Sequence, residues 1–448
     1  MGEALKPRIR MEMVYQYYWQ MCVKRGDTFR LVDGRDMTIL SPGILNRDAG
    51  PDFFYAKLEI NGEVWVGNVE VHTKASDWQR HRHSSDTAYD NVVLHVVAID
   101  DARVTGKDGT EIAQLVVTPP PYFFSNINAV MNSKNNYIKC AASLDRIDAI
   151  HKKDWLTSLS GMRMQAKAAR ITTILERFSG DWQQTCFVAL ATALGFNLNN
   201  APFEVLASSI PLKILSHHSD SIFQLEALLF GRGGFLANVK VTDGDYIRSL
   251  QREYQFLATK YGFNALSGCT WKYARTRPAN FPHRRIALLA AFCEGGFSLL
   301  SDILAAQGDC KKLHALFAKR VSRYWQSHYS FSSAENYIPA TDENRSNGGL
   351  SPDSLDLICI NMIAPLYYAY GLSTGKKEYL NIAANIWDSI PEERNTITRS
   401  WRAAGITADN AAESQALIHL YKEFCINNRC ADCRFFYQLM RRDMESGS

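Results

Sequence analysis

Between positions 52 and 95 the chain gathers Asp52, Glu70, His72, Asp77, His81, His83, Asp86, Asp90 and His95, and four of its eleven histidines fall in this stretch. Carboxylate oxygens and imidazole nitrogens are the donors that hold divalent cations. Oxygen-rich sets suit Mg²⁺ or Mn²⁺, and histidine-rich sets suit Zn²⁺. Glu70 and His72 share a strand face because side chains alternate with period two, and Lys74 joins them if the strand continues. Asn61-Gly62 marks a tight hairpin turn, since both residues tolerate positive φ. Pairing the flanking segments about that turn sets Asp52 nearly opposite Glu70, so the two carboxylates can share one cation. A neutral His72 beside it can accept a proton from water. Each residue also has a plainer reading. His95 sits in the apolar run VVLHVVAI and reads as a hydrogen-bonded core histidine, His81 and His83 read as exposed, Asp77 and Asp86 suit helix caps, and Asp90 suits a turn.

A second constellation closes the chain. Cys425, Cys430 and Cys433 form C-x4-C-x2-C after a helix expected over 411–424, and the C-x2-C half is a spacing used by zinc and iron–sulfur sites. Three thiolates need a fourth ligand, for which His419 and Cys140 are the candidates; the plain alternative is three reduced thiols. Basic residues cluster in RPANFPHRR, where Arg275, Arg277, His283, Arg284 and Arg285 suit phosphate contacts on a loop constrained by two prolines. Arg163, Lys167 and Arg170 recur at helical spacing and read as a solvated face.

The elements that must position these residues follow from pattern. A helix is expected over 11–23, then strands over 28–32, 37–40, 53–60, 64–72, 91–99 and 112–117, with a short helix in the polar stretch 76–90. Pro119, Pro120 and Pro121 break the pattern, giving a β-rich domain over 1–120 and a helical domain over 121–448 that ends in the cysteine cluster. Two helical stripes stand out downstream: Trp155, Leu159, Met162, Ala166 and Ala169, and Tyr246, Leu250, Tyr254, Leu257 and Tyr261 before Gly262. The polar segment 330–352 reads as a long surface loop. The fold class is thus α+β, with an N-terminal mixed sheet and flanking helices followed by a mostly α-helical domain.

Composition narrows the classes. The 448 residues exceed one ordinary core, and a net charge of +4 leaves nucleic-acid binding to local patches. No uninterrupted apolar run reaches the ~18 residues of a membrane span, and the charged, aromatic N-terminus lacks the apolar stretch of a signal peptide. A cytoplasmic protein with no membrane partner is expected. Ten cysteines over this length do not read as a disulfide framework.

The order of elements resembles the PD-(D/E)XK nuclease superfamily, whose core runs helix, three strands, helix, strand. GPDF at 50–53 and VEVH at 69–72 carry the resemblance. It implies metal ligation by Asp52 and Glu70, with Glu12 on the first helix as a third carboxylate. The chain departs from the pattern where His72 replaces the lysine that activates the attacking water, so His72 or Lys74 must take that role, or catalysis is absent. The segments SPGILNRDAGPDF, GNVEVHTKASDW, YDNVVLHVV, RPANFP, ESQALIHLY and CINNRCADCRF also resemble a bacterial family designated domain of unknown function 2851, a resemblance that implies no activity.

Three functions compete. The first is a divalent-metal-dependent nuclease-like phosphodiesterase acting on DNA or RNA, using Mg²⁺ or Mn²⁺. The second is a non-catalytic nucleic-acid-binding or scaffold protein with a degenerate nuclease fold. The third is a zinc-dependent hydrolase drawing ligands from the histidines.

Overall fold

The computed structural model describes residues 11–441 apart from 25, 47, 134, 136, 238–243, 264–265, 267–269, 275–279 and 332–347. The phosphate-contact expectation for Arg275 and Arg277, and most of the polar segment 330–352, lie outside the described residues. The chain forms two compact units. One takes Met1–Leu156, Arg399–Thr407 and Ile418–Ser448, and the other takes Thr157–Thr398 and Ala408–Leu417. The change of pattern expected at residue 120 is a change of secondary structure inside the first unit, where Pro121 opens a helix, Pro121–Met131, at a position that needs no amide donor.

The first unit begins with helix α1 (Met11–Cys22), which buries Tyr15 and Trp19 against a sheet. The sheet contains β1 (Thr28–Arg30), β2 (Asp36–Ser41), β3 (Ile44–Leu45), β4 (Phe53–Ile60), β5 (Glu63–Lys74), β6 (Val92–Ile99) and β7 (Ala113–Val116). Its order is β1-β2-β4-β5-β6-β7, with the short β3 pairing β4 off this path. The strands from β1 to β5 pair antiparallel, whereas β5, β6 and β7 run parallel, so the sheet is mixed. Alternation drives this layering. Val69 and Val71 of β5 join Leu94 and Val96 of β6 in the core on the α1 side, while Ala75, Trp78 and Val97 belong to a second, smaller cluster.

Two backbone features fix the register near the candidate residues. Asn61 and Gly62 turn the β4–β5 hairpin with φ of 51° and 81°, as their types require. Further along, a β-bulge between Phe53 and Ala56 shifts the pairing from Ala56 opposite Gly67 to Phe53 opposite Val69. Tyr55 in the bulge has φ of 60°, a conformation a bulky residue holds only when its surroundings impose it.

Parallel strands cannot be joined by a tight turn, so residues 75–91 cross from β5 to β6. They form α2 (Asp77–Arg80) and two single 3₁₀ turns, His83–Ser85 and Thr87–Tyr89. Trp78 anchors this segment: its ring is buried and its Nε1 donates to Ser84 Oγ over 2.9 Å. Ser84 in turn donates to the Thr105 carbonyl over 2.8 Å. Arg82 adopts the left-handed region, φ 59°, and reverses the chain between His81 and His83. Asp86 caps the second turn by accepting from the Ala88 amide over 3.0 Å.

The second unit is helical. The helix Asp245–Tyr261 ends at Gly262 in the left-handed region, φ 66°, and buries Leu250 and Leu257 as its stripe requires. The other expected stripe holds only at its start. In the helix Ala149–Arg177 Trp155 and Leu159 are buried, but Met162, Ala166 and Ala169 are exposed, and Met164, Ala168, Ile171 and Ile174 are buried instead. Burying the large Met164, Ile171 and Ile174 removes more apolar surface than burying two alanines. The helical run Pro352–Thr374 is long and apolar enough, by length and composition, to cross a membrane; 61% of that window is buried inside the protein.

Candidate metal centre

The bulge places Asp52 opposite Glu70. The Asp52 amide donates to Glu70 Oε2 over 3.1 Å, and Asp52 Oδ2 accepts from the Val71 amide over 3.0 Å. Gln16 of α1 adds a third contact, donating from Nε2 to Asp52 Oδ1 over 2.7 Å. One helical turn earlier, Glu12 brings its Oε1 to 3.6 Å from His72 Nε2. The same His72 nitrogen lies 3.4 Å from Glu70 Oε1 and 3.1 Å from His81 Nδ1. His83 Nε2 lies 3.4 Å from Glu70 Oε1 as well. Its geometry there makes no hydrogen bond, and among the described residues this buried nitrogen has no hydrogen-bond partner.

Two sets of donor atoms therefore converge, each with all its atoms within 4.8 Å of one another: Glu12, Glu70 and His72, and His72, His81 and His83. They share His72. Asp52 stands beside the first set with both oxygens engaged by Gln16 and Val71. Lys74 is exposed at the end of β5, and its charge acts on Asp101.

The other ring nitrogen of His72 explains His95. The His72 side chain is 1% exposed and its Nδ1 lies 2.8 Å from Nε2 of His95, which is fully buried. For Nε2 of His72 to offer a lone pair to a cation, its Nδ1 must carry the proton and donate to His95. His95 then carries its own proton on Nδ1, a buried atom with no hydrogen-bond partner among the described residues. His95 is a core histidine as expected, and it also orients His72. Aromatic rings enclose the group: Trp78 meets His83 and His95 edge-on, and Tyr89 stacks on His83 with ring centroids 3.8 Å apart.

The electrostatics follow from crowding and burial. Burial, with a smaller push from the Glu12 charge, raises the Asp52 carboxyl to about 6 against the bonds from Gln16 and Val71. Burial and then the Asp52 charge push Glu70 up to about 9. The imidazoles move the other way: burial and the neighbouring rings hold His72 down to about 2, His95 to about 3 and His83 to about 4. Carboxyls that resist ionising together and imidazoles that stay neutral are what a divalent cation resolves, since it neutralises the first and accepts lone pairs from the second. The orphaned His83 nitrogen and the mixed oxygen and nitrogen donors fit such an ion, with His81 on the solvent side.

His81 and His83 are the residues that pattern reading left out of this carboxylate group. His83 is buried rather than exposed, and their crowding around position 72 was the only signal. The basic candidates behave differently. Arg284 and Arg285 do not sit on a loop: they open the helix Pro282–Cys293, are 2% and 4% exposed, and lie over the Tyr329 and Phe196 rings. Buried guanidinium groups of this kind form no exposed phosphate-binding surface. Arg163 and Arg170 contact Gln415 and Glu204. The C-terminal cysteines do meet Cys140, the four lining one cavity in the first unit to which His419 does not contribute.

The chain belongs to the family described as Protein of unknown function (DUF2851), whose model matches residues 12–396. No curated protein and no solved structure matches the chain. The family match takes in Glu12, Asp52, Glu70, all four clustered histidines and Cys140.

Proposed function

We propose that this protein is a divalent-metal-dependent phosphodiesterase with a nuclease-like site, acting on nucleic acid. The observation that carries the reading is the convergence of Glu12, Glu70 and His72, with Asp52 locked beside them, at one end of a mixed sheet. Helix α1, the antiparallel strands β1 to β5, the short helix α2 and the parallel strand β6 follow one another in an order that resembles the expected helix, strands, helix, strand core, with two more strands before the short helix. Glu12, Glu70 and His72 would hold the ion, with the buried His83 beside them and His81 on its solvent side. The mixed donors favour Mn²⁺ over Mg²⁺, because imidazole suits softer ions. Once bound, the ion would polarise a phosphoryl oxygen and lower the pKa of a coordinated water.

The remaining groups support an anionic, extended substrate. Arg80 and Arg82 flank His81 at the exposed side, and the charge of Arg80 reaches His72. A groove of about 320 Å³ lined by Trp65 and by Arg35 together with Asp90, Asp108 and Glu111 includes Tyr89, whose ring stacks on His83. The Trp65 and Tyr89 rings offer stacking surfaces for bases, while the acidic residues of the groove outnumber Arg35, so phosphate contact falls to Arg80 and Arg82. His72 stands where the superfamily's lysine would be, and its buried Nε2 faces both glutamates, so it serves as a ligand and not as a mobile base.

The test is cleavage of labelled single- and double-stranded DNA and RNA with Mg²⁺, Mn²⁺ or Zn²⁺, for wild type and Glu70→Gln. Metal-dependent cleavage lost in Glu70→Gln supports the reading. Binding without cleavage under every metal favours the scaffold, and activity confined to Zn²⁺ favours the zinc hydrolase, to which the His72, His81 and His83 set is suited.

A further inference from the structure

Four cysteines from opposite ends of the sequence meet in the first unit. Cys140 follows Lys139 after the helix Pro121–Met131, and Cys425, Cys430 and Cys433 come from the segment between a π-helical turn, Leu420–Cys425, and the helix Arg434–Arg441. All four line one cavity with Trp401 and Phe436. Burial pushes the Cys140 thiol well above its ordinary value, and the neighbouring Cys433, Cys425 and Cys430 push it the same way. None of the four is in a disulfide.

The surrounding contacts fix this loop from several sides. Gln20 Nε2 donates to Asp432 Oδ1 over 2.9 Å, Lys139 Nζ to Asn428 Oδ1 over 2.6 Å, and Asn126 Nδ2 to the Leu439 carbonyl over 2.9 Å. Tyr17 meets Phe436 edge-on with centroids 5.6 Å apart. The thiols are thus held around a common space by protein contacts that involve no sulfur. We propose that Cys140, Cys425, Cys430 and Cys433 hold an iron–sulfur cluster.

Spacing separates this ligand from zinc. Four thiolates on one Zn²⁺ at ~2.3 Å must stand about 3.8 Å apart in a tetrahedron. Among the described residues, the groups of three or more donor atoms that all fall within 4.8 Å of one another are Glu12, Glu70 and His72, and His72, His81 and His83, so no three of the four sulfurs stand that close together. Together they line one small cavity, of about 20 Å³. A [4Fe–4S] cluster sets a separate iron under each of four cysteines and needs that wider frame. The apolar wall of Trp401 and Phe436 limits the access of solvent to a cluster, and ligation by iron would offset the cost that burial imposes on the thiolates.

Anaerobically purified full-length protein tests this by assay of iron, acid-labile sulfide and zinc, with visible absorption before and after reduction. Iron and sulfide in about equal amounts, and a visible band bleached by reductant, are expected. Cys140→Ser should lose nearly all of both, whereas Cys22→Ser, outside the cavity, should keep them. Zinc in place of iron would overturn the proposal, as would folded anaerobic protein with neither iron nor sulfide after reconstitution with ferrous iron and sulfide. Full iron content in Cys140→Ser would overturn it too. If that variant fails to fold, the wild-type iron and sulfide content and the Cys430→Ser variant decide. Glu70→Gln should leave the cluster intact, so failure here is distinct from failure of the carboxylate centre.

Discussion

The amide of Asp52 donates to Glu70 Oε2 over 3.1 Å while the amide of Val71 donates back to Asp52 Oδ2 over 3.0 Å, so each carboxylate is tied to the other's strand. Two acids are thereby fixed side by side in a place that disfavours their charges. The arrangement is costly without a cation and well prepared for one, because ligands already in position lose little freedom on binding.

Calorimetric titration with Mn²⁺ should find one site in the wild type. Glu70→Gln should abolish measurable binding, since it removes an oxygen ligand and the charge that the ion neutralises. Asp52→Asn should weaken it by about 10- to 100-fold, the usual effect of a residue that positions a ligand. At neutral pH the ion must displace the proton that Glu70 carries with its carboxyl raised to about 9, so affinity should climb with pH between about 6 and 9 and heats should depend on the buffer. Wild-type affinity in both variants would remove the pair from the site.

Stability of the metal-free protein should peak near neutrality. Glu70 and Asp52 have folded values raised above their unfolded ones, so the native state holds more protons in that window and stability falls as pH rises from about 4 to about 9. His72, His83 and His95 have depressed folded values, so the unfolded state holds more protons below about 6.5 and stability falls as pH drops there. Adding Mn²⁺ should raise the thermal midpoint most on the alkaline side. A midpoint that rises steadily through pH 9 without metal would contradict these assignments.

Gly67→Ala should destabilise the first unit by ~1–3 kcal/mol through overpacking. A Cβ there would stand 2.4 Å from Val93 Cγ1 and 2.6 Å from the Asn91 carbonyl oxygen, so the start of β6 must move away from β5. Chemical denaturation measures the loss. An unchanged midpoint would mean that β6 can shift at no cost.

Much of the first unit was legible because its signals are local. Short runs rich in β-branched and aromatic residues marked β4 and β5, and Asn61-Gly62 fixed their turn. That turn alone sets Asp52 within one residue of Glu70, and the bulge at Tyr55 supplies the remaining offset, which no propensity announces. Residues 75–91 were harder. Their path depends on burial of Trp78 and on the left-handed Arg82, both tertiary effects, so His81 and His83 could not be placed against Glu70 from spacing. Cys140 was nominated by ligand count, and only the fold could bring it to Cys425, Cys430 and Cys433. Arg284 and Arg285 misled because a proline before them reads as loop, whereas Pro282 instead starts a helix.

The pair His72 and His95 gives the sharpest test of the centre. If His72 ligates through Nε2, its Nδ1 must donate to His95, and replacing His95 by Leu leaves that N–H buried without an acceptor. His95→Leu should lower metal affinity by about 10- to 100-fold, while His95→Gln, whose amide oxygen can accept, should recover part of it. His72→Ala should remove binding and cleavage together. The pH profile separates ligand from base. A base with an ordinary imidazole value would make cleavage fall as pH drops through about 6.5. His72 is held far below its ordinary value by burial and by the surrounding rings, so it stays neutral, and the acid limb should instead follow protonation of the Asp52 and Glu70 carboxyls, both raised by burial. Asp52→Asn distinguishes the two outcomes by shifting that limb if the carboxyls set it. A limb near 6.5 that is unmoved by Asp52→Asn and lost in His72→Lys would return His72 to the role of base.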